Sequence, residues 1–220
     1  MFLEFSNGEK TIRIFSGVKG LVSHGDELRE LLEKIHPREM LITIPEEQVL
    51  GLQEFLKDPF EMTLSDYEII YGLRLHKYGE VMTPPPIYIV AIQYATSHGI
   101  PVRGIDLEDQ KFNDAYMKHV KTFALMRHSI RKKKIINYDF HDTNPYEFAE
   151  AWIKRINRIK GFERLDMERL AAMNDEIDEF IRAKFIEDHI IIVDHEFYAG
   201  IRENLIRNGF RQINSGVDNP

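Results

Sequence analysis

A chain of 220 residues, 43% hydrophobic and 30% charged, can bury one sizeable core, and one domain is the natural expectation at this length. A formal net charge of −7 argues against the concentrated basic face that nucleic acid or an anionic membrane surface requires. The absence of cysteine excludes disulfides, cysteine-ligated zinc, iron–sulfur clusters and thiol nucleophiles.

The opening Met1-Phe2-Leu3-Glu4-Phe5 has no basic segment followed by an apolar run, so no secretory signal is read there, and a cytoplasmic protein is expected. Residues 2–5 and 11–15 alternate apolar and polar around Ser6-Asn7-Gly8-Glu9; Asn-Gly tolerates positive φ, which predicts a hairpin. Gly17 and Gly20 mark a loop. Leu28, Leu31, Leu32 and Ile35 then fall at helical spacing between Asp26 and His36, and Pro37 stops that helix. Met40-Leu41-Ile42-Thr43-Ile44 has the continuous apolar character of a strand inside a parallel sheet, and Pro45-Glu46-Glu47 opens the next helix. Ser65-Asp66-Tyr67-Glu68 is a capping box heading a helix to about His76.

Beyond Pro84-Pro85-Pro86, a helix is predicted over 87–98, closed by Gly99, and a strand over 102–106. A long polar helical region is expected at roughly 109–131, with Arg131-Lys132-Lys133-Lys134 as a solvated helix end. Asn144-Pro145-Tyr146-Glu147 starts a helix carrying the sole tryptophan, Trp152, and Asp166 opens another that runs to about Lys184. A buried strand at 189–193, far too short to span a bilayer, a helix at 199–207 and a short strand at 211–213 complete the chain. This alternation predicts an α/β fold: a mostly parallel central sheet flanked by helices, an N-terminal β-hairpin, and a helical cap drawn from about 57–85 and 107–185.

Ligands of parallel sheets bind outside the carboxyl ends of the strands. The residues that follow the strands here are Gly17, Lys19, Gly20 and His24; Glu46 and Glu47; Asp106; and Asp194, His195 and Glu196. His24, Glu47, Asp194 and His195 are the candidate ligands of a divalent metal (Mn, Co or Zn). Glu46 is a candidate acid or base, and Gly17, Lys19 and Gly20 could cradle an anion, although the Gly-Lys-Ser/Thr order of a P-loop is missing. Helix capping explains each acid equally well.

From about Ile14 to Leu205 the order of features resembles the TraB/PrgY/Tiki superfamily. The matching segments are Phe15-Ser16-Gly17-Val18-Lys19-Gly20, then Pro37 and Leu41-Ile42-Thr43-Ile44-Pro45-Glu46, then Gly99-Ile100-Pro101-Val102-Arg103-Gly104-Ile105-Asp106, Glu168-Arg169-Leu170-Ala171-Ala172-Met173, and Ile190-Ile191-Ile192-Val193-Asp194 through Gly200-Ile201. The resemblance implies catalytic roles for Glu46, Glu168 and Arg169, with Arg103 and Asp106 binding ligand. Tiki-like members are described as metal-dependent peptidases. The family's two Gly-x-x-His histidines fall here at Gly20 and near Phe197, with Asp194 in place of the second glycine. That departure implies a degenerate, non-catalytic member binding a small molecule or peptide. A divergent divalent-metal hydrolase and a structural domain forming a homodimer stand as alternatives.

Overall fold

The computed structural model describes residues 1–213. Its chain opens with an antiparallel hairpin of β1 (Phe2–Ser6) and β2 (Thr11–Gly17), paired from Phe2↔Phe15 to Ser6↔Thr11. Asn7 holds the turn: its side-chain oxygen accepts from the N–H groups of Glu9 and Lys10 at 3.0 and 2.8 Å, and Gly8 takes φ +91°.

Four more strands complete a six-stranded sheet: β3 (Glu39–Ile42), β4 (Val102–Gly104), β5 (His189–Asp194) and β6 (Arg211–Ile213), in the order β4-β3-β5-β2-β1-β6. The contiguous set β4-β3-β5-β2 is parallel, and β1 pairs antiparallel with both β2 and β6. Central β5 is buried along its whole length, which is why residues 190–193 are aliphatic without alternation.

Strand periodicity still decides which face each side chain serves. Phe15, Met40, Ile42, Ile190 and Ile192 pack against α1 (Val22–Ile35) and α4 (Pro86–His98). Ile12, Ile14, Leu41, Ile191 and Val193 face the opposite way, onto α8 (Lys160–Ala183) and α9 (His195–Arg207). A third apolar cluster joins Val18 and Leu21 to α3 (Asp66–Leu75) and α7 (Pro145–Ile156) through Ile70, Tyr71, Leu75, Phe148 and Trp152. With α2 (Glu46–Lys57), this cluster covers the carboxyl ends of the parallel strands. No helix among the described residues is long and apolar enough to cross a membrane.

The polar helical region expected at roughly 109–131 consists of two helices, α5 (Asp109–His119) and α6 (Thr122–Ile135). Val120 interrupts them because it is buried with Leu107, Ala115 and Leu165 of α8, a position a straight polar helix could not give it. Strand β4 stops at Gly104, earlier than expected. A Cβ there would lie 2.6 Å from both the Ile44 carbonyl oxygen and the Glu46 nitrogen, so only glycine lets β4 approach the β3–α2 turn. Helix α9 follows β5 without a loop, its N-terminus capped by Asp194, whose side chain accepts from the Glu196 N–H at 3.3 Å.

Candidate functional site

Because β2, β3, β4 and β5 run parallel, the residues after each strand meet at one edge of the sheet. A cavity of about 690 Å³ opens there. Its floor holds Lys19, Thr43, Tyr88, Arg169 and Asp194, and its walls are Leu52 and Phe55 of α2, Tyr67 and Tyr71 of α3, and Phe60, Val81, Met82 and Trp152. This is the usual composition of a small-molecule site: apolar and aromatic walls around a few polar groups.

Two ion-pair systems build the floor. The Lys19 ammonium lies 3.2 Å from Asp194 Oδ2 and 2.8 Å from Glu196 Oε2. Burial alone would lower its affinity for the proton, but the two carboxylates outweigh burial and hold Lys19 well above its usual value. Burial pushes the Glu196 carboxyl up to about 7, with Lys19 pulling the other way and Asp194 adding to the rise. Asp194 is fixed further by its own N–H, which donates to Thr43 Oγ1 at 2.9 Å; that hydroxyl also lies 3.3 Å from the Tyr88 hydroxyl.

Arg169, projecting from α8, forms the second system. Its Nε and Nη2 donate to Asp106 Oδ2 at 3.0 and 2.5 Å, and the guanidinium sits 4.7 Å from the centre of the Phe197 ring. Burial opposes the charge on Arg169, but Asp106 more than restores it. Nearby Asp166 is raised by burial against the pull of Arg169 and of Asn157, which donates to it at 2.9 Å.

No family model matches the chain, and no curated protein matches it. Function must then be read from the geometry of the site.

Of the residues singled out in the sequence, Lys19, Gly20, Glu47, Arg169 and Asp194 line the cavity, and Asp106 stands directly behind Arg169. The others are engaged elsewhere. Gly17 lies under the floor, where a Cβ would come within 2.9 Å of Ile87. The Glu46 carboxylate accepts from the Gly104 N–H at 2.7 Å and so ties α2 to β4. Glu168 is held by Lys118 at 3.0 Å and His119 at 2.6 Å, and Arg103 pairs with Glu176 at 3.1 Å.

The four expected metal ligands are divided. Glu47 and Asp194 belong to the cavity; His24 and His195 do not. His24 Nδ1 accepts from the Val18 N–H at 2.8 Å, its ring stacks on Tyr146 of α7, and burial lowers its pKa to about 4. His195 occupies the first turn of α9, where successive side chains diverge by about 100°. Its Nδ1 lies 2.8 Å from Ser16 Oγ, its Nε2 lies 3.3 Å from Glu150 Oε1, and burial lowers its pKa against the pull of Glu150. Among the described residues, no three His, Asp or Glu side chains form a group that could hold a metal ion. The Ser16–His195–Glu150 succession has the order of a nucleophilic relay, but Ser16 is fully buried within β2 and beyond the reach of substrate.

Sequence reasoning missed Thr43, Tyr88, Tyr71, Trp152 and the part played by Glu196. The available signals were slight: Thr43 is the one hydroxyl in an apolar run, and Glu196 stands two residues past a strand-end aspartate.

Proposed function

We propose that this chain is a non-catalytic binding protein whose strand-end cavity receives a small molecule or an apolar side chain of a peptide. The observation that carries this reading is the cavity itself, about 690 Å³ of mostly apolar and aromatic wall over a floor whose two cations are already engaged by carboxylates within 3.2 Å. Such a floor orients a ligand; it leaves neither Lys19 nor Arg169 as an unpaired charge. The positions matching the superfamily's histidines support the same reading. Gly20 forms part of the cavity lining, and Phe197 forms a platform under Arg169. The resemblance to the TraB/PrgY/Tiki superfamily is then one of scaffold, with binding in place of hydrolysis.

Nile red, an uncharged dye whose emission shifts in apolar surroundings, tests the reading. Saturable one-to-one binding is expected. Gly51 lines the cavity from α2, and a Cβ added there meets nothing within 4 Å. Gly51→Phe therefore starts from open space at its Cβ, puts a ring at the cavity wall and should abolish dye binding, while the helix gains about 0.5 kcal/mol from losing a glycine. Undiminished binding to Gly51→Phe, or none to the wild type, defeats the proposal.

One observation favours a second reading, self-association. On α6, Phe123, Met126 and Ile130 are 64, 51 and 59% exposed along one stripe, and the helix carries five Lys or Arg and no acid in a chain of net charge −7. An acidic surface on a second copy would complement that face. Sedimentation velocity distinguishes the cases: Ile130→Ser shifts a dimer toward monomer and leaves a monomer unchanged.

A further inference from the structure

The floor offers unequal access to its two signs of charge. Lys19 and Arg169 side chains are 36 and 25% accessible, whereas Asp194, Glu196 and Asp106 are 6, 5 and 2% accessible. The cations are the more open groups of the floor; Asp194 also lines the cavity but is largely covered, and Glu196 and Asp106 stand behind. Both forward groups are donors with no acceptor capacity. Lys19 has three N–H bonds and two carboxylate partners, which leaves one N–H to offer. Arg169 Nη1 is 3.6 Å from Asp166, too far for a hydrogen bond. A ligand head seated on Lys19 and Arg169 must therefore accept hydrogen bonds, and an ammonium head, which can only donate, meets carboxylates there that are already engaged by the two cations.

The charge balance limits the head further. Lys19 and Arg169 are in direct contact with three carboxyl groups, those of Asp194, Glu196 and Asp106, and Asp166 lies close behind. Glu47 and Glu68 add acids to the cavity lining. A carboxylate or phosphate head would enter a region where acids already outnumber cations, and would be desolvated on entry.

From these two constraints we infer that the cavity selects an uncharged amphipathic molecule, with an apolar body against Phe55, Tyr71 and Trp152 and an amide, ketone or hydroxyl oxygen on Lys19 and Arg169. The inference rests on the binding reading above and adds the chemical class of the ligand.

Trp152 is the only tryptophan and lines the cavity, so its fluorescence reports occupancy in the unmodified chain. Octanamide, octanoate and octylamine present the same body with an uncharged, an anionic and a cationic head. Octanamide should bind at least about tenfold more tightly than either ion, because one unmatched charge in a partly desolvated site suffices for that factor. Lys19→Met, which leaves Asp194 and Glu196 without their cation, should strengthen octylamine relative to octanamide and weaken octanoate further. Tightest binding by octanoate or octylamine, or equal binding by all three, overturns the inference; if Nile red still binds, the cavity reading survives. If neither the series nor Nile red binds, the cavity reading has failed and the inference with it. The wild-type ranking alone is decisive should Lys19→Met not fold.

Discussion

Glu196 gives the most demanding test of the floor. Its carboxyl, buried against Lys19 and Asp194, titrates at about 7 instead of the ordinary 4.5. A raised carboxyl pKa means that the folded protein holds a proton the unfolded chain has released. Its contribution to stability is complete below about pH 4.5 and is lost as pH rises through 7. Every tenfold difference in proton affinity between the folded and unfolded chain is worth about 1.4 kcal/mol, so wild type should lose on the order of 3 kcal/mol from this group between about pH 4.5 and pH 8. Glu196→Gln holds the position permanently uncharged and should not suffer that loss. His24 and His189 work in the opposite sense. Burial lowers both to about 4, so their contribution is present above the unfolded value near 6.5 and lost as pH falls toward 4. They are common to both proteins and cancel in the difference. Urea unfolding of wild type and Glu196→Gln should therefore give similar stabilities near about pH 5 and diverge by up to about 3 kcal/mol in favour of the variant near about pH 8. A difference that stays flat, or that grows in favour of wild type as pH rises, would refute the burial argument.

Other perturbations probe the elements that hold the site in place. Asp106→Asn leaves the Arg169 guanidinium without its close carboxylate partner and should destabilise the fold by about 3 kcal/mol; chemical denaturation measures this, and adding Arg169→Met should recover part of the loss. Gly104→Ala forces a methyl against the backbone of residues 44–46 and should cost about 3 kcal/mol, read as a lowered melting temperature. His24→Phe leaves the Val18 N–H without its acceptor, a penalty of about 1–3 kcal/mol near neutrality, yet it removes a group that must take up a proton in acid. Its stability should accordingly fall less steeply than wild type between about pH 6.5 and pH 4, by up to about 1.4 kcal/mol per pH unit.

The fold was legible where local chemistry and tertiary packing agreed. Ser65 and Glu68 form the reciprocal capping box that their spacing implied, and Asn144 accepts from the Glu147 N–H at 3.0 Å as a cap should. Aliphatic runs marked β3 and β5 because strands covered on both faces need no polar residues. The break between α5 and α6 was hidden because no proline or glycine marks it; burial of Val120 against α8 decides it. Early starts of α1, α8 and α9 were hidden for a related reason: their first turns are stabilised by tertiary packing, as with His24, Phe162 and His195. Position after a strand was enough to find Lys19, Asp106 and Asp194, since the sheet itself gathers them. It could not separate His24 and His195 from the cavity, because a side chain's direction out of a first helical turn depends on partners remote in sequence. Here those partners are Tyr146 and Glu150, both from α7.

Strand order also constrains how the molecule can be assembled during synthesis. Strands β2 and β3 share no hydrogen bonds; each pairs with β5, which begins only at residue 189. A nascent chain shorter than that holds a hairpin at one end and the β3–β4 pair further along, with nothing to stitch them into one sheet. Their facing edges stay open until the ribosome releases the strand that inserts between them, and an incomplete chain exposes the apolar edges most prone to misassociation. C-terminal truncations that remove β5 should therefore yield insoluble product, however much of the remaining sequence is native.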